Sequence, residues 1–289
     1  MLTKEQFHKK IAEGIRYLDG ATGSNLQKAG MPKGCCTEHW VLEHPQELIC
    51  LQRRYAEAGS QILYAPTFQA QPIALERVGL EAQTEKLNAQ LVALSRSAAP
   101  ECLIAGDLTT LAAFTDSWDP KNFDLLVENY RRQIRGLIDG GADLLAAETL
   151  LYPQEAEAIL TAAELEGAGA ALYTFTMQPD GSLFSGMEAG PVLQELEKAG
   201  AAAVGFNCVA ADELTPYLVS KLRRYTKLPL VCKPNAGVPV IGSSGLPEYS
   251  MTPEDFAAVL RHCQENGAAL LGGCCGTDPD FIAALQNQP

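Results

Sequence analysis

Residues 202–208 read Ala202-Ala203-Val204-Gly205-Phe206-Asn207-Cys208. The first five are uncharged and small or apolar, which is the composition of a strand buried on both faces. The run then stops on an amide and a thiol. The same event recurs further along, where Ala269-Leu270-Leu271 runs into Gly272-Gly273-Cys274-Cys275-Gly276. Working outward, similar apolar runs occupy Ile15 to Leu18, Gln61 to Tyr64, Cys102 to Ala105, Asp143 to Ala147, Ala171 to Phe175 and Leu230 to Cys232. Helical periodicity fills the intervals at Pro45 to Ala58, Glu81 to Ala98, Phe123 to Asp139, Pro153 to Glu166, Pro191 to Lys198, Ala211 to Tyr225, Pro253 to Glu265 and Pro279 to Gln286. Thr252-Pro253-Glu254-Asp255 supplies an N-cap, a proline at the first helical position and acids in the first turn. Ala58-Gly59, Gly141-Ala142, Ala199-Gly200 and Gly267-Ala268 place glycine where a helix ends in the left-handed conformation. Strict alternation of this kind predicts a parallel sheet with helical cover. Eight repeats favour a single α/β domain closed as a (β/α)8 TIM barrel over an open doubly wound sheet.

The 289-residue chain is 47% hydrophobic, enough for a large core, and carries a net charge of −13. That acidity argues against a nucleic-acid backbone or an anionic membrane as partner. Met1 to Lys10 is polar, and no apolar run is long enough to span a bilayer. Nine cysteines in a chain of this size point to a reduced, cytoplasmic protein rather than a disulfide framework. Cys102, Cys232, Cys50 and Cys263 read as small buried hydrophobes. Cys35 and Cys36 fall in a polar loop, and Trp118 in another, where packing over a barrel end is its expected role.

In either α/β fold, chemistry gathers beyond the carboxyl ends of the strands. The residues there are unusual: Asp19-Gly20-Ala21-Thr22-Gly23-Ser24, Pro66-Thr67-Phe68, Gly106-Asp107, Glu148-Thr149, Asn207-Cys208, Lys233-Pro234-Asn235-Ala236-Gly237 and Cys274-Cys275. Cys208, Cys274 and Cys275 are the sharpest group. Adjacent cysteines rarely close a disulfide on each other, because their Cα atoms are only ~3.8 Å apart. Three thiolates at strand ends suit one Zn2+ with a fourth position open to water or substrate. The alternatives are rim cysteines without a metal, or a fourth protein ligand. Histidine does not compete, since His8, His39, His44 and His262 lie away from the strand ends.

Three thiolates outweigh the charge of Zn2+. The centre suits holding a fourth sulfur rather than polarising a carbonyl. A free thiol of pKa ~8.5 is only a few per cent ionised at pH 7. Complete ionisation is worth at most about 30-fold in rate, or ~2 kcal/mol. Positioning must supply most of the remainder. Asp19 and Glu148, on the same rim, are acceptors for an α-amino group. The glycine-containing turn Gly20 to Ser24 can present N–H groups to a carboxylate.

Asp19-Gly-Ala-Thr-Gly, Pro66-Thr-Phe, Glu148-Thr, Gly205-Phe-Asn-Cys208, Pro234-Asn-Ala-Gly237 and Gly272-Gly-Cys-Cys-Gly-Thr277 together resemble the homocysteine S-methyltransferase family, spanning nearly the whole chain in the same order. Within it, the likeness is to the homocysteine-binding barrel of cobalamin-dependent methionine synthase. The resemblance implies one homocysteine-binding methyltransferase domain over residues 1–289, with zinc on Cys208, Cys274 and Cys275. It implies Asn235 as a fourth ligand before substrate binds. It also implies Asp19 and Glu148 on the substrate amino group, Gly23 and Ser24 on its carboxylate, and Thr67 among the substrate contacts. Two features depart from the pattern. The chain ends at Pro289, without the folate, cobalamin and reactivation modules of full methionine synthase. Asp107-Leu108-Thr109 follows Gly106 where relatives often carry Gly-Pro. The expected reaction is zinc-dependent methyl transfer to homocysteine, giving methionine. The methyl donor would be a corrinoid on a partner protein, or a small sulfonium or ammonium compound. The alternatives are the same chemistry on another thiol or a selenol, or a non-catalytic zinc- or corrinoid-docking module.

Overall fold

Seven parallel strands form one sheet: β1 (Ile62–Tyr64), β2 (Leu103–Thr109), β3 (Leu144–Leu150), β4 (Ala171–Phe175), β5 (Ala203–Ala210), β6 (Leu230–Asn235) and, after a two-stranded antiparallel pair β7 (Val240–Ile241) and β8 (Pro247–Glu248), β9 (Ala268–Leu271). The order is β1-β2-β3-β4-β5-β6-β9, every neighbour parallel. The structure is a computed structural model and describes residues 1–14, 16–242 and 247–286.

The sheet curls until one further segment fits between its edges. Tyr17 bridges Leu271 and Leu18 bridges Ile62, both in parallel. The Leu18 N–H donates to the Leu271 carbonyl, and the Leu271 N–H to the Arg16 carbonyl, each at 2.8 Å. The predicted first strand thus survives as two single bridges that close the ring, and Ile15 lies outside the described residues. The barrel interior holds Leu18, Ile62, Tyr64, Ala105, Leu144, Leu172, Val231 and Leu270. Phe7, on a helix the sequence pattern did not signal (Lys4–Ala12), is fully buried against them. That helix sits at the amino ends of the strands, where Leu2 exchanges backbone bonds with Asp143 and Ala170. The opposite end stays free for chemistry.

Helices at Pro45–Glu57, Phe123–Asp139, Pro153–Leu165, Pro253–Glu265 and Pro279–Gln286 follow the sequence reading. Thr252 caps its helix by accepting from the Asp255 N–H. Gly59, Gly141, Gly200 and Gly267 all have positive φ. The segment read as a helix over 211–225 is helical only at Thr215–Arg223, because the Asp212 carboxylate accepts from the N–H groups of Leu214 and Thr215 and fixes a turn there. Thr84–Ala98 starts late, after a 3-10 turn at Glu81–Gln83. Cys102, Cys232 and Cys263 are buried as expected, but Cys50 is exposed, on the outer face of its helix rather than the core face. Trp118 is 44% exposed and leans on Tyr152, ring centroids 5.6 Å apart.

Strands run further than their apolar runs. β2 continues to Thr109, β3 to Leu150, β5 to Ala210 and β6 to Asn235. Residues expected just past the sheet are therefore its last rungs, held by the ladder. Close strand approach is built in at Gly205, where a Cβ would stand 2.1 Å from the Val231 carbonyl oxygen.

Candidate active site at the carboxyl rim

Two ladders slip where the rim residues emerge. The β3–β4 register shifts between Ala147 and Leu150, and the β5–β6 register between Asn207 and Ala210. Thr149 and Cys208 lie inside these slips at φ 59° and 56°, the non-glycine residues of the described chain with positive φ. Such backbone costs of order 1–3 kcal/mol and persists only where its surroundings impose it. Asn207 imposes it here. Its Oδ1 accepts from the Thr149 N–H at 2.8 Å, and its Nδ2 donates to Thr149 Oγ1 at 2.7 Å. Asn207 Nδ2 and Thr149 Oγ1 also reach the sulfurs of Cys274 and Cys208, each at 3.8 Å.

The register slip in β5 and the turn after β9 bring the three predicted thiols together. The sulfurs of Cys208, Cys274 and Cys275 lie within 4.8 Å of one another, and those of Cys208 and Cys274 are 2.8 Å apart. The turn is pinned by Cys274 N–H to the Pro234 carbonyl at 2.7 Å and by Ala236 N–H to the Cys275 carbonyl at 3.0 Å. Hydrogen bonds from Cys208 and Cys274 pull the Cys275 thiol down to about 3. The hydrogen bond between Cys208 and Cys274 is the main cause raising the Cys208 thiol above its ordinary range. Asn235, 8% exposed, donates to the Cys208 carbonyl while its own Oδ1 is buried without a partner. Three converging soft donors and one orphaned oxygen fit a thiophilic cation such as Zn2+.

Beside the thiols opens a pocket of about 240 Å³, walled by Gly20 to Ser24, Tyr64 to Pro66, Phe68, Asp107, Glu148, Thr149 and Lys233. Its charged wall is a buried cluster. The Lys233 ammonium stands 3.2 Å from Glu148 and 3.5 Å from Asp19, and 4.2 Å from the centroid of the Tyr64 ring. Burial pulls Lys233 downward, but Glu148 and Asp19 outweigh it and hold the ammonium well above its ordinary range. Burial raises Asp19 to about 6 against the opposing pull of Lys233. It raises Glu148 as well, and it drives Asp107 well above the carboxylate range, with the Glu148 charge adding to the effect.

The predicted substrate residues divide. Glu148, Gly23 and Ser24 line the pocket, and Ser24 Oγ is buried without a partner. Asp19 is 1% exposed and lies behind the wall, one oxygen accepting from the Tyr64 N–H at 2.8 Å and the other facing Lys233. Thr67 is fully buried. Its hydroxyl accepts from the Asp107 N–H and donates to the Asp107 carbonyl, both at 2.9 Å. Lys233 and Asp107 stood among the rim residues of the sequence but carried no assigned role. A lysine inside an otherwise apolar strand ending was the signal for the first, and the departure after Gly106 for the second.

A closed parallel barrel with a thiol-lined, cation-ready centre at its carboxyl rim defines a metal-dependent enzyme class of the TIM-barrel type. The chain belongs to the homocysteine S-methyltransferase family, whose sequence model matches residues 17–288. Among solved structures it is similar to the homocysteine methyltransferase MmuM from Escherichia coli in its metallated form, at 30% identity and a TM-score of 0.80, covering 94% of this chain and 95% of that one. The oxidized form of the same enzyme gives a TM-score of 0.79. The methionine synthases of Mycobacterium leprae and Mycobacterium tuberculosis are each 28% identical over 294 residues, and the chain spans about a quarter (24%) of their length. Carboxyl transferase domains of Rhizobium etli pyruvate carboxylase, at 16% identity and a TM-score of 0.54, share the fold alone. No helix among the described residues is long and apolar enough to cross a membrane.

Proposed function

We propose that this protein transfers a methyl group to the thiol of homocysteine, giving methionine, and that residues 1–289 act as one domain in doing so. The single observation behind this is the meeting of Cys208, Cys274 and Cys275 beside a pocket whose far wall is charged. Those cysteines would hold a zinc ion, with Asn235 Oδ1 as the further protein donor before substrate arrives. A bound zinc ion keeps a substrate thiol ionised at neutral pH.

The chain's own residues orient the substrate. Glu148 accepts from its α-ammonium group. The Gly23 N–H and the unpartnered Ser24 hydroxyl receive its carboxylate, while Tyr64, Pro66 and Phe68 exclude water from its methylenes. Asp19 works from behind the wall by fixing Lys233, which fixes Glu148. The substrate sulfur attacks the donor methyl carbon in line, with inversion. The bonding pair of the breaking bond leaves with the donor, and no protein base is needed at the carbon. Alignment of this kind is the largest rate term available to such a site. The donor is a methylated corrinoid on a partner protein or a small sulfonium or ammonium compound such as S-methylmethionine or betaine. The use of nine cysteines in a chain of this size supports a reducing, cytoplasmic location.

Turnover with zinc-loaded protein, homocysteine and a panel of these donors is the test. Methionine formed with one of them supports the proposal. Silence with every donor and corrinoid partner would leave a docking module. Calorimetric titration of homocysteine against other thiols and a selenol would expose a different acceptor.

A further inference from the structure

Asp107 turns a carboxylate toward the pocket that has no ion pair or hydrogen bond among the described residues. It is 5% exposed, lines the pocket, and its Oδ1 is buried without a hydrogen-bond partner. Its neighbours are already engaged. Asp19 accepts from the Tyr64 N–H through one oxygen and faces Lys233 with the other, which has no hydrogen-bond partner but lies behind the pocket wall, and Lys233 stands between Asp19 and Glu148. Three carboxylates therefore share one ammonium, and the cluster carries a surplus of two acidic groups at the pocket wall.

The backbone of Asp107 is also more tightly held than a rim residue requires. Its N–H donates to Thr67 Oγ1, and its carbonyl accepts from Thr67 Oγ1 at 2.9 Å and from Gln133 Nε2 at 3.0 Å. All three of these groups are buried. A buried acceptor that is rigidly aimed and unsatisfied is costly unless a ligand completes it. It lines the same pocket as Glu148, Ser24 and the three thiols, which selects a cation carried on the same small molecule as the thiol.

We infer that Asp107 determines specificity: together with Glu148 it receives the α-ammonium group of the thiol substrate, in the place the family resemblance gives to Asp19. The inference deepens the proposed methyl transfer to homocysteine and rests on it. Asp19 becomes the residue that positions Lys233, and Asp107 the residue that distinguishes an amino-acid thiol from a plain one.

The test compares two ligands on zinc-loaded protein by calorimetry, homocysteine and its des-amino analogue 4-sulfanylbutanoate. Asp107→Asn keeps the shape and the backbone bonds but removes the charge. Homocysteine affinity should fall about tenfold to a hundredfold, as for a lost hydrogen bond to a charged group. The des-amino thiol should bind wild type and variant within about threefold of each other, having no ammonium for the charge to meet. Equal losses on both thiols, or no loss on homocysteine, would overturn the inference while leaving methyl transfer intact. Wild-type protein that binds neither thiol would overturn the functional proposal first, before any variant is compared. Circular dichroism reports folding. If Asp107→Asn does not fold, Asp107→Ser supplies the same comparison, because the clamp from Thr67 and Gln133 uses only backbone atoms of residue 107.

Discussion

The two halves of the pocket are built on opposite plans. The thiol half uses short-range chemistry: Cys274 and Cys275 are chain neighbours, and a register slip in β5 swings Cys208 across to them. The charged half is assembled from four separate strand ends, with Asp19, Asp107, Glu148 and Lys233 contributed by segments far apart along the chain. The thiol half exposes Cys275 and half-buries Cys208, whereas Asp19, Asp107, Glu148 and Lys233 are all buried. The first half is arranged to receive something it lacks. The second is largely buried in the core, with Asp107 as the member that faces the pocket without an ion-pair partner. Loss of a residue should therefore remove chemistry in the first half and folding stability in the second.

Cys274→Ala breaks the comparison most sharply. Metal analysis should give about one zinc per wild-type chain, as a three-thiolate centre requires, and far less in the variant. Turnover should drop by more than the roughly 30-fold that thiol ionisation alone supplies, because the ion also positions the sulfur, while the thermal transition of the metal-free proteins stays close. Zinc content unchanged in the variant would contradict the ligand assignment.

Lys233→Met is the mirror case. Removing the ammonium leaves Asp19 and Glu148 buried without their partner. Breaking a buried ion pair in this way costs about 3–5 kcal/mol. Urea denaturation should show that loss, and zinc content should remain near that of wild type. A variant as stable as wild type would mean that Lys233 is not what holds the two carboxylates inside.

This contrast also explains which half was legible in the sequence. Apolar runs located all eight barrel positions, and the thiols announced themselves because Gly272-Gly273-Cys274-Cys275-Gly276 is a local pattern. The first of them, read as Ile15 to Leu18, is reduced to bridges at Tyr17 and Leu18 that are too short to form a ladder and join the two edges of the sheet. In the charged half, Asp19 and Glu148 stand in local motifs, but the contacts among its members follow no local pattern. Lys233 reads as an ordinary strand-end lysine until β6 is laid beside β5, with Asn207 paired to Lys233. Asp19 stands in a motif at the rim, but the sequence does not show that the Tyr64 N–H takes one of its oxygens and that the other faces Lys233. Thr67 was placed on the correct rim, but its hydroxyl turns inward to the Asp107 backbone. The same limit hid the left-handed backbone of Thr149 and Cys208. Nothing in either residue type favours positive φ, and the brace that imposes it, Asn207, acts across strands.

Thr67→Val sharpens the division inside the charged half. The substitution keeps the shape and removes the hydroxyl that both accepts from and donates to Asp107. An unsatisfied buried N–H costs about 1–3 kcal/mol, so urea denaturation should register a loss in that range. Homocysteine affinity should fall as well, since Asp107 loses its aim, while metal content stays constant. A drop in metal content would show that the two halves are coupled through the sheet rather than independent.

Ser24→Ala should have the smallest effect and separates substrate binding from stability most cleanly. Ser24 Oγ is buried with no partner in the substrate-free protein, so its desolvation is uncompensated until a ligand arrives. Removing such a group costs nothing in the free protein and can stabilise it, because the unmet hydrogen bond disappears with the hydroxyl. Urea denaturation of Ser24→Ala should match wild type within about 0.5 kcal/mol or exceed it. The KM for homocysteine should rise about tenfold through loss of one hydrogen bond to a charged carboxylate, with kcat unchanged because the contact is made equally in ground and transition states. A fall in stability of more than about 1 kcal/mol would mean the hydroxyl is satisfied in the free protein, and Ser24 would then belong with Asp19 and Thr67 as part of the core rather than with the open side of the pocket.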